Sequence, residues 1–341
     1  MIRAPTARVA LLLVVAACGA GAMAAETATD TDTEAEAETE TETETETETR
    51  PPSPSASRSI GGPNDGRLEG GVALPLEGPG FRFNPRRDPA ARFGTAEVVA
   101  QLRAAAERAA GEVPFVINDL GYREGGPIPH HGSHRAGRDV DVLFAMRGPT
   151  GEPHPPVGAF FDPAGRGVDF RDLTDPTDDV PLTFDATRTW RLLEALIEGE
   201  DDAGAPLQRV FVVEHLRSAL LATAARLDAR RATRDRFAMI SCQPGSPHDD
   251  HLHLRFFCAP KDIPRGCEDT APHYPWRRRA LEGLGLTMRR HRPRPDRPRA
   301  ATVSAAEARA AAGPLHTEVR RWLDRREAWS EAPHPGRPWC R

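Results

Sequence analysis

The sequence contains a single lysine, Lys261, so arginine supplies almost all of its positive charge. This preference for arginine over lysine indicates a coding bias more than a binding signal. Outside the acidic segment at residues 26–49, the chain is only mildly basic. The small net positive charge of that remainder is not a binding signal for nucleic acid. Nucleic acid is therefore not an expected partner.

No apolar run in the sequence is long enough to cross a bilayer comfortably. The longest stretch near the start, Val9–Ala17, follows Arg3 and Arg8 and is typical of an export signal. Two processing sites remain open. The segment Val-Ala-Ala-Cys ending at Cys18 is similar to a bacterial lipobox, whereas Ala-Met-Ala ending at Ala24 is similar to a simple secretory cleavage site.

The residues that follow contain nothing that could form a core. Residues 26–49 carry eleven acidic residues and no basic residue, and a Pro- and Ser-rich stretch continues to residue 57. We expect residues 25–58 to form an extended, self-repelling linker after a signal peptide at residues 1–24. If Cys18 is acylated, the protein is an outer-membrane lipoprotein, and the lipid is its only contact with a membrane. If the chain is cut after Ala24, the protein is free in the periplasm.

No Cys-x-x-Cys motif is present, which argues against a finger-type zinc site. After Cys18 the chain has four cysteines, an even number that favours two disulfides in an exported protein. Cys258 and Cys267 are close enough in sequence to bridge a local loop. Cys242 and Cys340 then remain as the second pair, by elimination.

Internal repeats are also absent, and predicted helices and strands interleave along the chain. Apolar periodicity predicts helices at 96–110, 187–198, 216–227 and 318–329. Alternating residues predict strands in FVIND, RDVDVLF, RVFVV and DDHLHLRFF. The Arg- and Pro-rich residues 277–299 are expected to be extended. The irregular lengths of these segments predict an α+β fold with a mostly antiparallel sheet and flanking helices.

Although the chain has only 12 histidines, two short segments hold several of them. In HHGSHRAGRDVDV, His131 and His134 precede Asp139 and Asp141, and the two aspartates alternate with valines as on a strand. A catalytic zinc ion usually takes three ligands of the His and carboxylate type, and this segment can supply only part of such a set.

The second segment, HDDHLH at residues 248–253, supplies the missing donors. On a strand, His251 and His253 point to the same face because they are two residues apart. Each segment alone is a weak signal, since a polar strand edge produces it by chance. Together they predict a metal site made of His134, Asp141 and His253. Asp139 is either a partner that orients a ligand or a solvated strand residue.

These segments resemble the LAS metallopeptidases, and more narrowly the penicillin-insensitive murein endopeptidases. The similar pieces are SIGGPNDGRLEGG, RFGTAEVV, GGPIPHHGSHRAGRDVDV, QRVFVVEHL and HDDHLHLRFFCAPKDIPRGCED. They run in the family's order from Ser59 to Asp269. The resemblance implies a single LAS/Hedgehog-like metallopeptidase domain at residues 59–288, followed by an Arg/Pro-rich extension at 289–341 that folds back through Cys340.

The resemblance also implies a role for each of six site residues. It makes His134, Asp141 and His253 ligands of a zinc ion, places His131 where it can also touch metal, and makes His251 the catalytic base with His248 beside it. Two departures stand out. Arg67 occupies a position where the family can have a cysteine, and residues 148–181 match poorly. Any further metal site that would use Asp169 or Asp172 therefore cannot be carried over.

The implied activity is zinc-dependent hydrolysis of D-alanyl–meso-diaminopimelate cross-links in peptidoglycan, without a serine nucleophile and hence insensitive to β-lactams. Two alternatives remain open at this point: a zinc carboxypeptidase that removes terminal D-Ala, and a non-catalytic murein-binding lipoprotein. The presence of His248 and His251 argues against the second alternative, because a binding module needs no proton shuttle. The sequence does not indicate an oligomeric state.

Overall fold

The computed structural model describes residues 57–199, 204–244, 247–292, 303, 305–330 and 340. The expected signal peptide and nearly all of the expected linker lie outside these residues. Within the described part of the chain, no helix combines the length and the apolar composition needed to cross a membrane.

The described residues form seven α-helices and fifteen short strands. The helices are α1 (Ala96–Arg108), α2 (Ala186–Glu198), α3 (Glu214–Arg226), α4 (Arg231–Ile240), α5 (Pro275–Gly283), α6 (Ala305–Ala311) and α7 (Thr317–Ser330). The strands are β1 (Arg58–Ile60), β2 (Arg67–Glu69), β3 (Val72–Ala73), β4 (Glu77–Gly78), β5 (Phe81–Phe83), β6 (Phe93–Gly94), β7 (Phe115–Ile117), β8 (Asp139–Leu143), β9 (Met146–Arg147), β10 (Pro153–His154), β11 (Arg166–Asp169), β12 (Val180–Phe184), β13 (Leu207–Phe211), β14 (Ser241–Cys242) and β15 (His251–Phe256).

The largest sheet has seven strands in the order β14-β13-β15-β8-β7-β5-β4. Its pairs are antiparallel except for β13 with β14 and β5 with β7. A second sheet has four antiparallel strands in the order β10-β9-β12-β11. Together with the flanking helices, these sheets confirm the predicted α+β class.

Helices α1 and α2 pack against each other and contribute many residues to the core. Each begins at a capping side chain, since Thr95 accepts a hydrogen bond from the backbone of Val98 and Asp185 accepts one from that of Arg188. Their apolar faces are buried at the periodic positions that predicted the helices. Trp190 of α2, for example, is fully buried against Phe237.

Strands β8 and β15 lie side by side near the middle of the large sheet, and their register determines where the polar residues meet. Asp141 is directly opposite His253, and Asp139 is opposite Arg255. The intervening valines and leucines, Val140, Val142, Leu252 and Leu254, are buried in the core on the other face. One face of this strand pair therefore packs the core, while the other carries the ligand-type side chains.

One sequence prediction was wrong in part. Residues 277–299 were expected to be extended, but residues 277–283 belong to α5, which begins at Pro275 and continues to Gly283. Residues 293–299 lie outside the described part of the chain. A proline in the first turn is compatible with a helix because the backbone N–H groups there have no intrahelical partner. The arginines that follow are good helix formers, and Leu281 is buried beside the disulfide of Cys258 and Cys267.

The end of the described chain returns to the domain. Helix α7 packs Val319 and Leu323 against Phe160, Phe170 and Leu173. The expected disulfides are both present, Cys258 with Cys267 and Cys242 with Cys340, at Cα–Cα distances of 5.9 and 5.4 Å.

Candidate metal centre

Asp141 is the centre of a cluster of histidines. Its carboxylate lies 3.2 Å from His253 Nδ1, 3.4 Å from His134 Nε2, 3.5 Å from His251 Nε2 and 3.5 Å from His131 Nδ1. Donor atoms bound tetrahedrally to a zinc ion at ~2.0–2.1 Å are about 3.3 Å apart. The distances from the Asp141 carboxylate are therefore compatible with donors that share one cation.

The four histidines share a second property. In each ring the nitrogen that faces away from Asp141 contacts an oxygen atom. His131 Nε2 lies 3.2 Å from Asp119, His134 Nδ1 2.8 Å from the Leu120 carbonyl, His251 Nδ1 2.8 Å from Asp250, and His253 Nε2 2.9 Å from Asp139. Such outer contacts orient metal-binding imidazoles and fix which nitrogen is left for the metal.

Two of the inward-facing atoms are buried without a hydrogen-bond partner. They are His134 Nε2 and Asp141 Oδ1. Leaving a buried polar atom unpaired costs on the order of 1–3 kcal/mol, so such atoms are rare in the absence of a ligand. A metal ion would satisfy both. Two groups have the mutual distances needed to hold one: His131 with His134 and Asp141, and His248 with His251 and His253.

Asp139 lies behind His253 rather than facing the centre of the cluster. Its carboxylate contacts His253 Nε2 and accepts a 2.6 Å hydrogen bond from Arg255 Nε. Burial opposes ionisation of Asp139, but Arg255 and His253 outweigh it and hold the pKa of this carboxyl far below its usual range. Asp139 is therefore a charged residue that leaves Nδ1 of His253 available on the inner side.

Asp119 is a site residue that the sequence analysis did not identify. It contacts His131 on one side, and on the other it accepts hydrogen bonds from the Arg87 guanidinium. Burial opposes its ionisation, but His131 and Arg87 still lower its pKa. Its only sequence signal is its position just after the buried strand β7, where polar residues often enter a site.

The loops that carry the histidines have an unusual backbone. His134 and His248 have φ angles of 66° and 55°, in the left-handed region that favours glycine, and so does His130 at 68°. Strain of this kind persists where the surrounding structure fixes the residue, and it is frequent at functional sites. In His134 the fixing contacts are visible, since the ring is completely buried and bonded to Leu120.

The charges of the histidine rings depend strongly on Asp141. Burial alone would lower the pKa of His134, but Asp141 outweighs burial and raises it. In His131, burial and the charge on His134 lower the pKa. Asp141 itself is held well below its usual pKa, because the histidines around it outweigh its burial.

His251 lies at the more open side of the cluster, with 18% of its side chain exposed against none for His134. Burial would lower the pKa of His251, but the carboxylates of Asp250 and Asp141 raise it to about 9. The negative charge of these two carboxylates keeps the ring charged at neutral pH. A cation at Asp141 would offset that negative charge and favour the neutral ring that a general base requires.

His248 lies beside the two histidines of β15. Its ring centroid is 4.9 Å from that of His251 and 5.4 Å from that of His253. The structure thus brings together all six residues assigned from the sequence: His131, His134, Asp141, His248, His251 and His253. Asp169 and Asp172 are in neither metal-capable group; Asp169 pairs with Arg171, and Asp172 accepts hydrogen bonds from Thr174.

A cavity of about 690 Å³ has Arg87 and Asn118 in its lining but none of the six site residues. The lining includes Arg82, Arg86 and Arg87, and Arg87 contacts the cluster through Asp119. It also includes aromatic side chains, Phe160, Phe170 and Trp322. This groove is large enough for several residues of a peptide and combines positive charge with apolar surface.

The α+β fold thus contains a buried cluster of histidines and aspartates that could bind a metal ion. Residues 59–158 match the family model described as penicillin-insensitive murein endopeptidase, which supports the family predicted from the sequence. The match includes His131, His134 and Asp141, and it supports a peptidase with murein endopeptidase activity in general. A comparison with curated proteins found no match to the chain.

Proposed function

We propose that the protein is a zinc-dependent endopeptidase that hydrolyses D-alanyl–meso-diaminopimelate cross-links in peptidoglycan. The observation that carries the proposal is the arrangement around Asp141, where four imidazoles turn one nitrogen inward and bond the other to an outer oxygen. That arrangement fits a catalytic metal site, and the family match provides the substrate class.

His134, Asp141 and His253 would hold the zinc ion, with His131 close enough to contribute. When bound, zinc would activate a water molecule as a nucleophile at neutral pH and polarise the carbonyl of the scissile amide. The protein's own residues supply the rest of the chemistry. Asp139 and the Leu120 carbonyl hold the rings of His253 and His134 in the orientation that faces the ion.

His251 is the proposed proton carrier. Asp250 contacts Nδ1, so Nε2 is the nitrogen that faces the site. Nε2 accepts a proton from the attacking water and gives it to the leaving amine as the C–N bond breaks. His251 therefore ends the reaction in its starting protonation state. His248, beside His251, is a second group that can exchange protons there. Because no serine is acylated, β-lactams have no nucleophile to trap.

Digestion of purified sacculi tests this proposal. We expect the protein to convert cross-linked muropeptide dimers into monomers, as seen by chromatography and mass spectrometry of the fragments. Treatment with a chelator should abolish the conversion, and added zinc should restore it. Loss of terminal D-Ala with intact cross-links would instead indicate a carboxypeptidase. Binding to sacculi without any cleavage would indicate a murein-binding protein and contradict the proposal.

We further propose that Cys18 is acylated and anchors the protein at the outer membrane, facing the periplasm. The linker that follows can extend to at most ~3.3 Å per residue, on the order of 100 Å in total, which would let the domain reach murein. In cell fractionation, the wild type is expected with the membranes and the Cys18→Ser variant in the soluble periplasmic fraction. Equal solubility of the two would support cleavage after Ala24.

A further inference from the structure

Asp249 is a buried acidic residue that the proposed chemistry does not use. It lies between His248 and Asp250 in the loop that leads into β15, and its side chain is fully buried. Both of its carboxylate oxygens accept hydrogen bonds from Arg326 of α7, at 2.8 Å from Nε and 2.6 Å from Nη2. The indole Nε1 of Trp329 donates a further hydrogen bond at 3.0 Å.

The partner side of this contact is equally well fixed. Arg326 has only 4% of its surface exposed, and its guanidinium lies 3.7 Å above the ring of Phe160. One turn earlier, Leu323 packs into the apolar cluster that α7 forms with the domain. A two-pronged arginine–carboxylate contact has a defined geometry as well as strength, so it fixes position in a way that a single hydrogen bond does not.

The backbone of the same loop is held from other sides. The carbonyl of His248 accepts a hydrogen bond from Val213, and that of Asp249 accepts one from Phe161. These bonds fix where the loop lies, but Arg326 and Trp329 are the groups that hold the Asp249 side chain. The next residue, Asp250, contacts His251 directly.

We propose that Arg326 is a positioning residue for the proton carrier, acting through Asp249 on the loop that presents Asp250 and His251. This inference rests on the proposed function. Helix α7 and the His248–His251 loop both lie outside residues 59–158, so the contact between them is no part of the matched segment. Displacements on the order of 1 Å in a catalytic group reduce rates by about 100-fold, so loosening this contact should be visible in catalysis.

The main test compares Arg326→Met with Arg321→Met in the full-length protein. Arg321 is an exposed arginine on the same helix and pairs only with Glu318 among the contacts seen for it. With a purified cross-linked muropeptide as substrate, Arg326→Met should lower kcat by about 10- to 100-fold while KM and zinc content stay near the wild-type values. Arg321→Met should match the wild type in all three. An unchanged kcat in folded Arg326→Met would overturn the proposal.

A second readout does not depend on activity. Hydrogen exchange of a peptide covering residues 247–256 should be faster in Arg326→Met than in Arg321→Met, because the loop loses its counter-ion. Unchanged exchange would count against the positioning role whether or not the enzyme is active. If the wild type cleaves no muropeptide, that result counts against the proposed function. The exchange comparison still tests whether Arg326 holds the loop.

The double variant Asp249→Asn/Arg326→Met separates positioning from general stability. Arg326→Met alone leaves an uncompensated buried carboxylate, whereas the double variant removes both charges and should recover thermal stability. Because the two-pronged contact is still missing, kcat should remain low. If kcat returned together with the melting temperature, the contact would be purely structural. The double variant also provides the test if Arg326→Met fails to fold.

Discussion

Replacing His251 with alanine is expected to reduce the rate of cross-link cleavage by on the order of 100-fold or more while leaving the metal bound. The size of the loss is that of removing a general base. Metal should be retained because His134, Asp141 and His253 form the proposed ligand set without His251, and the outer contacts that orient these rings remain. Zinc content and kcat of the same preparation are the two measurements needed.

The geometry makes this a demanding test, because His251 Nε2 is about as far from Asp141 as the proposed ligands are. His154→Ala provides a matched control, since His154 lies on β10 and its ring bonds to the neighbouring Pro155 carbonyl. It should leave both zinc content and rate unchanged. A zinc-free His251→Ala protein would make His251 a ligand, and the proton carrier would have to be sought among the other histidines.

Removing a ligand should have the largest effect of all. His253→Ala and Asp141→Ala are each expected to lose most of the zinc, about one ion per chain in the wild type, and with it nearly all activity. Three protein donors are the usual number in a catalytic zinc site, and two donors leave too few bonds for tight binding. Asp141 matters especially, because it is the carboxylate that the four inward-facing nitrogens share.

Metal analysis of extensively dialysed protein measures this prediction directly. Asp172→Ala is a suitable control, because Asp172 is exposed and its side chain bonds to Thr174. The control should retain its zinc. A His253→Ala protein that binds zinc stoichiometrically and as tightly as the wild type would contradict the ligand assignment.

Local patterns were enough to predict the strands that carry the site. In DVDVL and HLHLRF the alternation of apolar and ligand-type residues shows which side chains share a face, and β8 and β15 have that alternation. The pairing of His253 with Asp141 lies beyond such patterns, because it depends on the register between strands that are more than a hundred residues apart. The two segments could be assigned to one metal site only because together they contain enough ligand-type residues, since the sequence does not give their geometry.

The features that the sequence analysis missed depend on contacts distant in sequence or on weak local signals. Asp119 has no motif of its own and becomes a site residue only because His131 and Arg87 meet it. Helix α4 was not predicted either; it is only ten residues long, and its buried positions are Thr233, Phe237 and Ile240. The partner of Asp249 could not be identified either, since an arginine-rich chain offers many candidates for one buried carboxylate.

The distance in sequence between Asp249 and Arg326 also affects when the site can be completed. These residues are 77 positions apart in the sequence. During synthesis, the His248–His251 loop therefore emerges well before the residue that neutralises its buried carboxylate. The two-pronged contact can form only after α7 has been made and has docked, so the order of synthesis sets the order in which this loop is fixed.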